Sequence, residues 1–261
     1  MGASISVVIP AYNAETTIEA CLDSIATQTV LPDQIILVDD GSVDRTIFIA
    51  ENHKISHLIT TIKCTRNVGI VAALRKGVEA SSGTYIARID ADDVWDSHHL
   101  QVGIEELQKK DSNVLFASMA RFVGGRKNFD ASRSLSRFRF PGILMVYNPL
   151  VHSSVIFRRH AYLVVGGYRQ GVLWEDYDLW IRILTIGDFC MSTRLSVTYN
   201  VSSTSLSRVR VTKGLSAVMR CQLAALRSYW LRDPVFAALG LFFFMVRLTK
   251  FYLYRIIDYK T

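Results

Sequence analysis

The sequence predicts an α/β fold, a sheet flanked by helices, on three observations. Short apolar runs rich in β-branched residues, Ile5-Ser6-Val7-Val8-Ile9, Gln34-Ile35-Ile36-Leu37-Val38 and Thr84 to Ile89, have the length and composition of buried strands. Segments with apolar residues at helical spacing separate these runs, and such alternation argues for βαβ units with a parallel sheet. Each run also stops at a cluster of polar or turn residues: Pro10-Ala11-Tyr12, Asp39-Asp40 and Asp90 to Asp93. In sheets of this kind ligands collect at the carboxyl ends of the strands, so three clusters converge on one edge.

Taken in order, the first strand ends at Pro10, and Asn13 is placed to cap a helix carrying Ile18, Cys21, Leu22 and Ile25 at helical intervals. The second strand runs into Asp39-Asp40-Gly41-Ser42, with a helix opening near Asp44. His57 to Ile62 gives a third strand, Gly69 to Ala80 a helix, and Thr84 to Ile89 a fourth strand. Beyond Asp93 a helix is expected over 97–110 and a strand over 114–117, followed by a loop-rich basic stretch from Arg121 to Arg139. A late group follows: Asn148-Pro149, His152-Ser153-Ser154, Gly166-Gly167-Tyr168, and Trp174-Glu175-Asp176-Tyr177-Asp178-Leu179-Trp180. The last of these should open a helix, with its carboxylates in the first turn where the helix dipole favours them.

Asp90, Asp92 and Asp93 crowd the turn after a buried strand. Like charges so close together are costly unless a positive charge sits among them. A hard divalent cation with oxygen ligands, often shared with substrate phosphates, is the usual solution.

Bulk properties exclude several classes. Cys21, Cys64, Cys190 and Cys221 show no C-x-x-C spacing, which argues against zinc and against a disulfide framework and fits a reducing cytosol. The first apolar run is too short for a signal peptide, and Met1-Gly2-Ala3-Ser4-Ile5-Ser6, although it fits the myristoylation pattern, leads into a core strand. The formal charge of +7 is uneven: residues 201–261 carry ten basic groups against Asp233 and Asp258, while residues 1–200 are one charge negative. That is no nucleic-acid-binding profile. A near-neutral body with a basic tail points to an anionic surface met by the tail.

The ordered set Val7 to Asn13, Val38-Asp39-Asp40-Gly41-Ser42, Asn67-Val68-Gly69, Ala87 to Asp93, His152 to Val155, Gly166-Gly167-Tyr168 and Trp174 to Trp180 resembles glycosyltransferase family 2, the inverting nucleotide-sugar transferases of GT-A fold. The resemblance covers residues 5 to about 185, and Arg75 departs from it where many relatives carry Asn. It implies a Rossmann-like mixed sheet flanked by helices and a UDP-sugar donor, with Mn²⁺ or Mg²⁺ as cofactor. Pro10, Ala11, Tyr12 and Asp40 would line the uridine pocket with Asp39 close behind, and Asn67, Asp90 and Asp92 would also face the nucleotide sugar. Asp92 and Asp93 would hold the metal, Asp176 would act as base with Glu175 beside it, and Trp174 and His152 would meet the acceptor. A departing diphosphate needs positive charge around it, and an attacking hydroxyl needs a carboxylate to take its proton. Displacement by the acceptor inverts the anomeric centre.

The expected organisation is a catalytic domain over 1–210, its nucleotide-binding half 1–110 and its acceptor half 111–210, with a helical tail over 211–261. Leu215 to Leu231 reads as an amphipathic helix. Val235 to Val246 is continuously apolar but far short of the roughly 20 residues that span a bilayer. With Arg247, Lys250 and Arg255 beyond it, the tail has the profile of an interfacial helix on anionic lipid. The alternative is a helix packed on the catalytic body or in a homodimer. The expected setting is therefore the cytoplasmic face of a plasma membrane, with an undecaprenyl-diphosphate-linked sugar as acceptor in O-antigen, capsule or exopolysaccharide assembly. Rival readings are a soluble or protein acceptor, and a catalytically silent sugar-nucleotide-binding scaffold. A nucleotidyltransferase is excluded by the lack of a Gly-rich, basic amino-terminal loop.

Overall fold

A computed structural model describes residues 3–124, 129–130, 148, 150–172 and 174–201, together with Leu223, Leu226, Ala238, 240–242, 244–246, Leu248 and Thr249. The elements run β1 (Ile5–Ala11), α1 (Ile18–Ala26), β2 (Gln34–Asp39), α2 (Thr46–Glu51), β3 (Ile59–Lys63), α3 (Ile70–Ala80), β4 (Tyr85–Arg88), β5 (Val94–Trp95), α4 (His99–Gln108), β6 (Asn113–Val123), β7 (Phe129–Asp130), β8 (Val155–Arg158), α5 (Arg159–Val164), α6 (Glu175–Ile183) and β9 (Asp188–Asn200).

One sheet of nine strands takes the order β3-β2-β1-β4-β8-β6-β9-β5, with β7 on β6. β3, β2, β1 and β4 are parallel, as the alternation with helices requires. β8 then pairs antiparallel with both β4 and β6, and β6 runs parallel to β9, so the sheet is mixed. Both faces are covered. On β1, Ile5, Val7 and Ile9 join α1 (Ile18, Cys21, Leu22, Ile25) and α4 (Leu100, Leu107) in one cluster. Val8 points the other way, to Leu74 and Val78 of α3 and to Leu179 and Trp180 of α6. Each such fully buried side chain contributes about 1.5–3 kcal/mol.

Two expectations need correction. Asn13 does not cap α1: its backbone is left-handed (φ 49°), and its Oδ1 accepts the Val43 N–H at 3.0 Å. The helix opens instead at Thr17, where Ala14 O accepts the N–H groups of Thr17 (3.0 Å) and Ile18 (2.9 Å). The strand expected over 114–117 runs on to Val123 because β9, which the sequence pattern does not announce, pairs with it throughout. Ser192-Thr193-Arg194 interrupts the apolar pattern of β9, and its pairing with β6 absorbs three irregularities of register.

In the tail the described residues are helical, and none of the described helices is long and apolar enough to cross a membrane. Leu226 is buried in the cluster that holds Tyr168 and Tyr177, and Phe244 packs against it. Leu241, Phe242, Met245 and Val246 are exposed. The ten basic residues of 201–261 lie outside the described residues, as do Arg126, Lys127, Arg133, Arg137 and Arg139 of the basic stretch and Pro149.

Candidate active site

The loops after β1 and β2 are stitched together. Asn13 N–H donates to Ser42 Oγ at 2.9 Å and Ala14 N–H to Thr46 Oγ1 at 2.7 Å. Asp40 is buried, and its two oxygens accept the N–H groups of Val68 (2.7 Å) and Gly69 (2.9 Å), which ties the loop ahead of α3 to the end of β2. Asp39 accepts the Ser42 N–H at Oδ1 (3.1 Å). Gly41 sits at φ 82° with the Arg66 backbone so near that a Cβ would lie 2.8 Å from its carbonyl carbon, so only glycine fits. Pro10 and Ala11 are buried, Tyr12 is half exposed and Asn67 is exposed on the loop that Asp40 holds. The nucleotide-side residues expected from the sequence therefore share one sheet edge.

The acidic turn after β4 is the next layer. One carboxylate oxygen each from Asp90, Asp92 and Asp93 lies within 4.8 Å of the others, the one such cluster of potential ligands among the described residues. Buried Arg88, the last residue of β4, forms an ion pair with Asp90 through both guanidinium nitrogens. It also donates to Ser153 Oγ at 3.3 Å. Ser153 is fully buried, and its hydroxyl donates to Asp93 Oδ2 at 2.5 Å while accepting the Asp90 N–H at 3.1 Å. Asn200, at the end of β9, completes the cradle: its N–H donates to Asp93 Oδ1 at 2.9 Å and its Nδ2 to Asp92 O at 2.5 Å.

Burial, then the charge of Asp90, pushes the Asp92 carboxyl up to about 6. The same two causes raise Asp93 well above the ordinary carboxylate range. A turn whose carboxylates resist ionising together is one that a divalent cation would stabilise, and all the donors are hard oxygens. The residues present therefore fit Mn²⁺ or Mg²⁺.

The late group arrives from the other side. Glu175, Asp176 and Asp178 occupy the first turn of α6, as expected, with Trp174 immediately before it. Asp178 pairs with Arg182 at 2.6 Å, and Arg182 donates to the Val165 and Gly167 carbonyls at 2.7 Å each, so Asp178 fastens the Gly166-Gly167 turn to α6. Gly167 (φ 62°) must be glycine, since a Cβ would meet the Tyr162 ring at 2.5 Å. Asp176 stays partly accessible and accepts from Asn148 Nδ2 at 2.7 Å; burial raises its carboxyl above the usual range. Glu175 is buried. Trp174 Nε1 is buried without an acceptor among the described residues. His152 bonds Tyr168 Oη through Nε2 at 2.8 Å and lies edge-on to Trp180. Burial, with the Arg88 charge, keeps its imidazole neutral.

Arg88, Ser153, Asn148 and Asn200 are site residues to which the sequence reading gave no role. Three stand inside or beside quoted motifs, but only the fold reveals what they touch. Asn200 lies on the unannounced strand.

The family profile described as glycosyl transferase family 2 matches residues 6–162, well over half of the chain. The chain belongs to glycosyltransferase family 2. It is 30% identical over 186 residues to the amylovoran biosynthesis glycosyltransferase AmsE of Erwinia amylovora, covering 70% of each chain. Against the putative glycosyltransferase EpsE of Bacillus subtilis it is 31% identical over 194 residues, covering 71% of this chain and 68% of EpsE. Among solved structures, S. aureus TarS 1–349 in complex with UDP-GlcNAc superposes with a TM-score of 0.70 at 18% identity, over 85% of this chain and 66% of that one. Mannosyltransferase PcManGT from Pyrobaculum calidifontis, in complex with GDP-Man and Mn²⁺, gives 0.67 at 17% identity, over 96% and 75%. The family 2 glycosyltransferase thus has the α/β sheet of the GT-A enzymes.

Proposed function

We propose that this glycosyltransferase moves a sugar from a UDP-sugar to a hydroxyl of a lipid-linked acceptor, with inversion, in the assembly of a bacterial surface polysaccharide. The observation that carries the reading is a three-carboxylate turn after β4, held by Arg88 and Ser153, with the Asp176 carboxylate of α6 near enough to Arg88 to feel its charge. The first site suits a leaving diphosphate and the second an incoming hydroxyl.

Asp92 and Asp93 would hold Mn²⁺ or Mg²⁺, which when bound supplies the positive charge that a departing diphosphate requires. Asp39 and the edge formed by Pro10, Ala11 and Tyr12 receive the uridine. Asp40 has both oxygens occupied by backbone N–H groups, so Asp39, whose Oδ2 receives no bond from a described residue, is the better acceptor for the uracil N–H. Asp176 takes the proton of the attacking hydroxyl; its raised affinity for protons suits a base, and the Asn148 amide helps to hold the carboxylate in place. Trp174, partly exposed just before α6, offers the acceptor sugar a ring face.

The polysaccharide assignment draws on AmsE, whose own name places it in amylovoran biosynthesis. The lipid-linked acceptor draws on the tail. Its helix sends Phe244 inward to the α6 side of the molecule and leaves Leu241, Met245 and Val246 outward, beside a strongly basic sequence. This accounts for both readings of that segment: one face packs on the body and the other rests on anionic lipid at the cytoplasmic surface. The test is transfer from a panel of UDP-sugars into membrane lipid extract with Mn²⁺ present. Labelled lipid from one UDP-sugar supports the proposal. Transfer only to water-soluble acceptors overturns the lipid-linked part, and donor binding without transfer or hydrolysis would mark a silent scaffold.

A further inference from the structure

Asp90 opens the acidic turn and lies close enough to Asp92 and Asp93 to share an ion with them, yet both of its oxygens are engaged by Arg88. The guanidinium is buried, and the same NH1 reaches the Ser153 hydroxyl that is bonded to Asp93. Asp92, by contrast, is paired with no guanidinium, and the hydrogen bond to its carboxylate comes from its own backbone N–H. With every group ionised, Arg88, Asp90, Asp92 and Asp93 carry two net negative charges, the complement of one divalent cation.

We infer that Arg88 is a positioning residue for the donor site, which withholds Asp90 from the metal and sets the charge of the turn at two negative. Asp90 is then a counter-ion rather than a ligand, and the metal is left to Asp92 and Asp93. A sequence pattern of three acidic residues in four positions does not distinguish these roles; the buried guanidinium does. The inference rests on the proposal that this turn binds a divalent cation.

The two roles give opposite signs when the pair is changed. Asp90→Asn leaves the turn with one net negative charge and should weaken Mn²⁺ binding. Arg88→Gln leaves it with three and should bind Mn²⁺ at least as tightly as wild type. Arg88→Gln combined with Asp90→Asn restores the charge of two and puts neutral hydrogen-bonding groups in place of a buried ion pair. Such a swap keeps a fold better than removing one partner, which strands a buried charge.

The experiment is calorimetric titration of the full chain with Mn²⁺ in the presence of UDP, folding being checked by circular dichroism. The expected result is a double variant within about threefold of wild type, Asp90→Asn about tenfold weaker, and Asp92→Asn without measurable binding. If Arg88→Gln alone fails to fold, the double variant decides. A double variant as weak as Asp90→Asn would make Asp90 a ligand and overturn the inference. Weakened binding in a folded Arg88→Gln would reduce Arg88 to scaffold and overturn it equally. No Mn²⁺ binding by wild type would instead remove the metal reading itself, and the inference with it.

Discussion

Asn148 Nδ2 donates to Asp176 Oδ2 at 2.7 Å, joining the segment ahead of β8 to the first turn of α6. Burial raises this carboxyl, and the Tyr177 N–H, the Arg88 charge and the Asn148 amide, which all favour its charged form, oppose that rise. Loss of positioned proton transfer costs about 10²–10⁴-fold in rate. Asp176→Asn should therefore lower kcat by that order while leaving UDP affinity unchanged. Asn148→Ala should keep activity at high pH but move the acid limb of the kcat profile upward. Wild-type turnover in Asp176→Asn together with loss in Glu175→Gln would reassign the base.

The acidic turn makes the metal-free protein's stability depend on pH in an unusual direction. The folded Asp92 carboxyl, at about 6, lies above its unfolded value of about 3.9, so the folded state binds the extra proton between the two. Its contribution to stability is present below about pH 4 and is lost as pH rises through about 6. Mn²⁺ competes with those protons, so it should raise Tm more at pH 7.5 than at pH 5. Calorimetry in EDTA and in Mn²⁺ checks this, and an equal shift at both pH values would contradict it.

Ser153→Ala removes the hydroxyl that links Arg88 to Asp93 in a fully buried place. Leaving buried polar partners unsatisfied costs about 1–3 kcal/mol, so the variant should unfold earlier in urea. It should also bind Mn²⁺ more weakly than wild type, since Asp93 loses the donor that orients it. An unaltered Mn²⁺ affinity would show that Asn200 alone orients Asp93.

Membrane binding should follow the outward face of the tail. Deleting the tail would also strip Leu226 and Phe244 from the core, so substitution is the cleaner probe. The full chain should pellet with anionic vesicles and less with neutral ones, each basic residue near the surface contributing about 1 kcal/mol. Leu241→Ser with Met245→Ser should weaken pelleting while leaving Tm nearly unchanged, because both side chains are already exposed. Pelleting unaffected by these changes would contradict a lipid role for this face.

The parallel half of the fold was legible because its strands are continuous apolar runs stopped by polar turns, a pattern set by burial on both faces. The other half was not. β9 carries Ser192, Thr193 and Arg194 in mid-strand, and its place beside β6 is fixed by pairing rather than by its own periodicity. The same division holds at the site. The carboxylates announce themselves by crowding, whereas Arg88 and Ser153 read locally as a strand residue and a loop residue, and Asn200 is more than a hundred positions from Asp93. Asn13 shows the converse error: its side chain suited a helix cap, but contacts with the loop after β2 drew it into a left-handed turn.

Metal-dependent transfer to lipid is tested by following labelled sugar from a UDP-sugar panel into membrane lipid extract with wild type and with Asp176→Asn, each with Mn²⁺ and with EDTA. Labelled lipid, with inverted anomeric configuration, is expected from wild type in Mn²⁺ alone, and almost none from Asp176→Asn. Full transfer in EDTA after exhaustive dialysis, or equal transfer by Asp176→Asn, would contradict this.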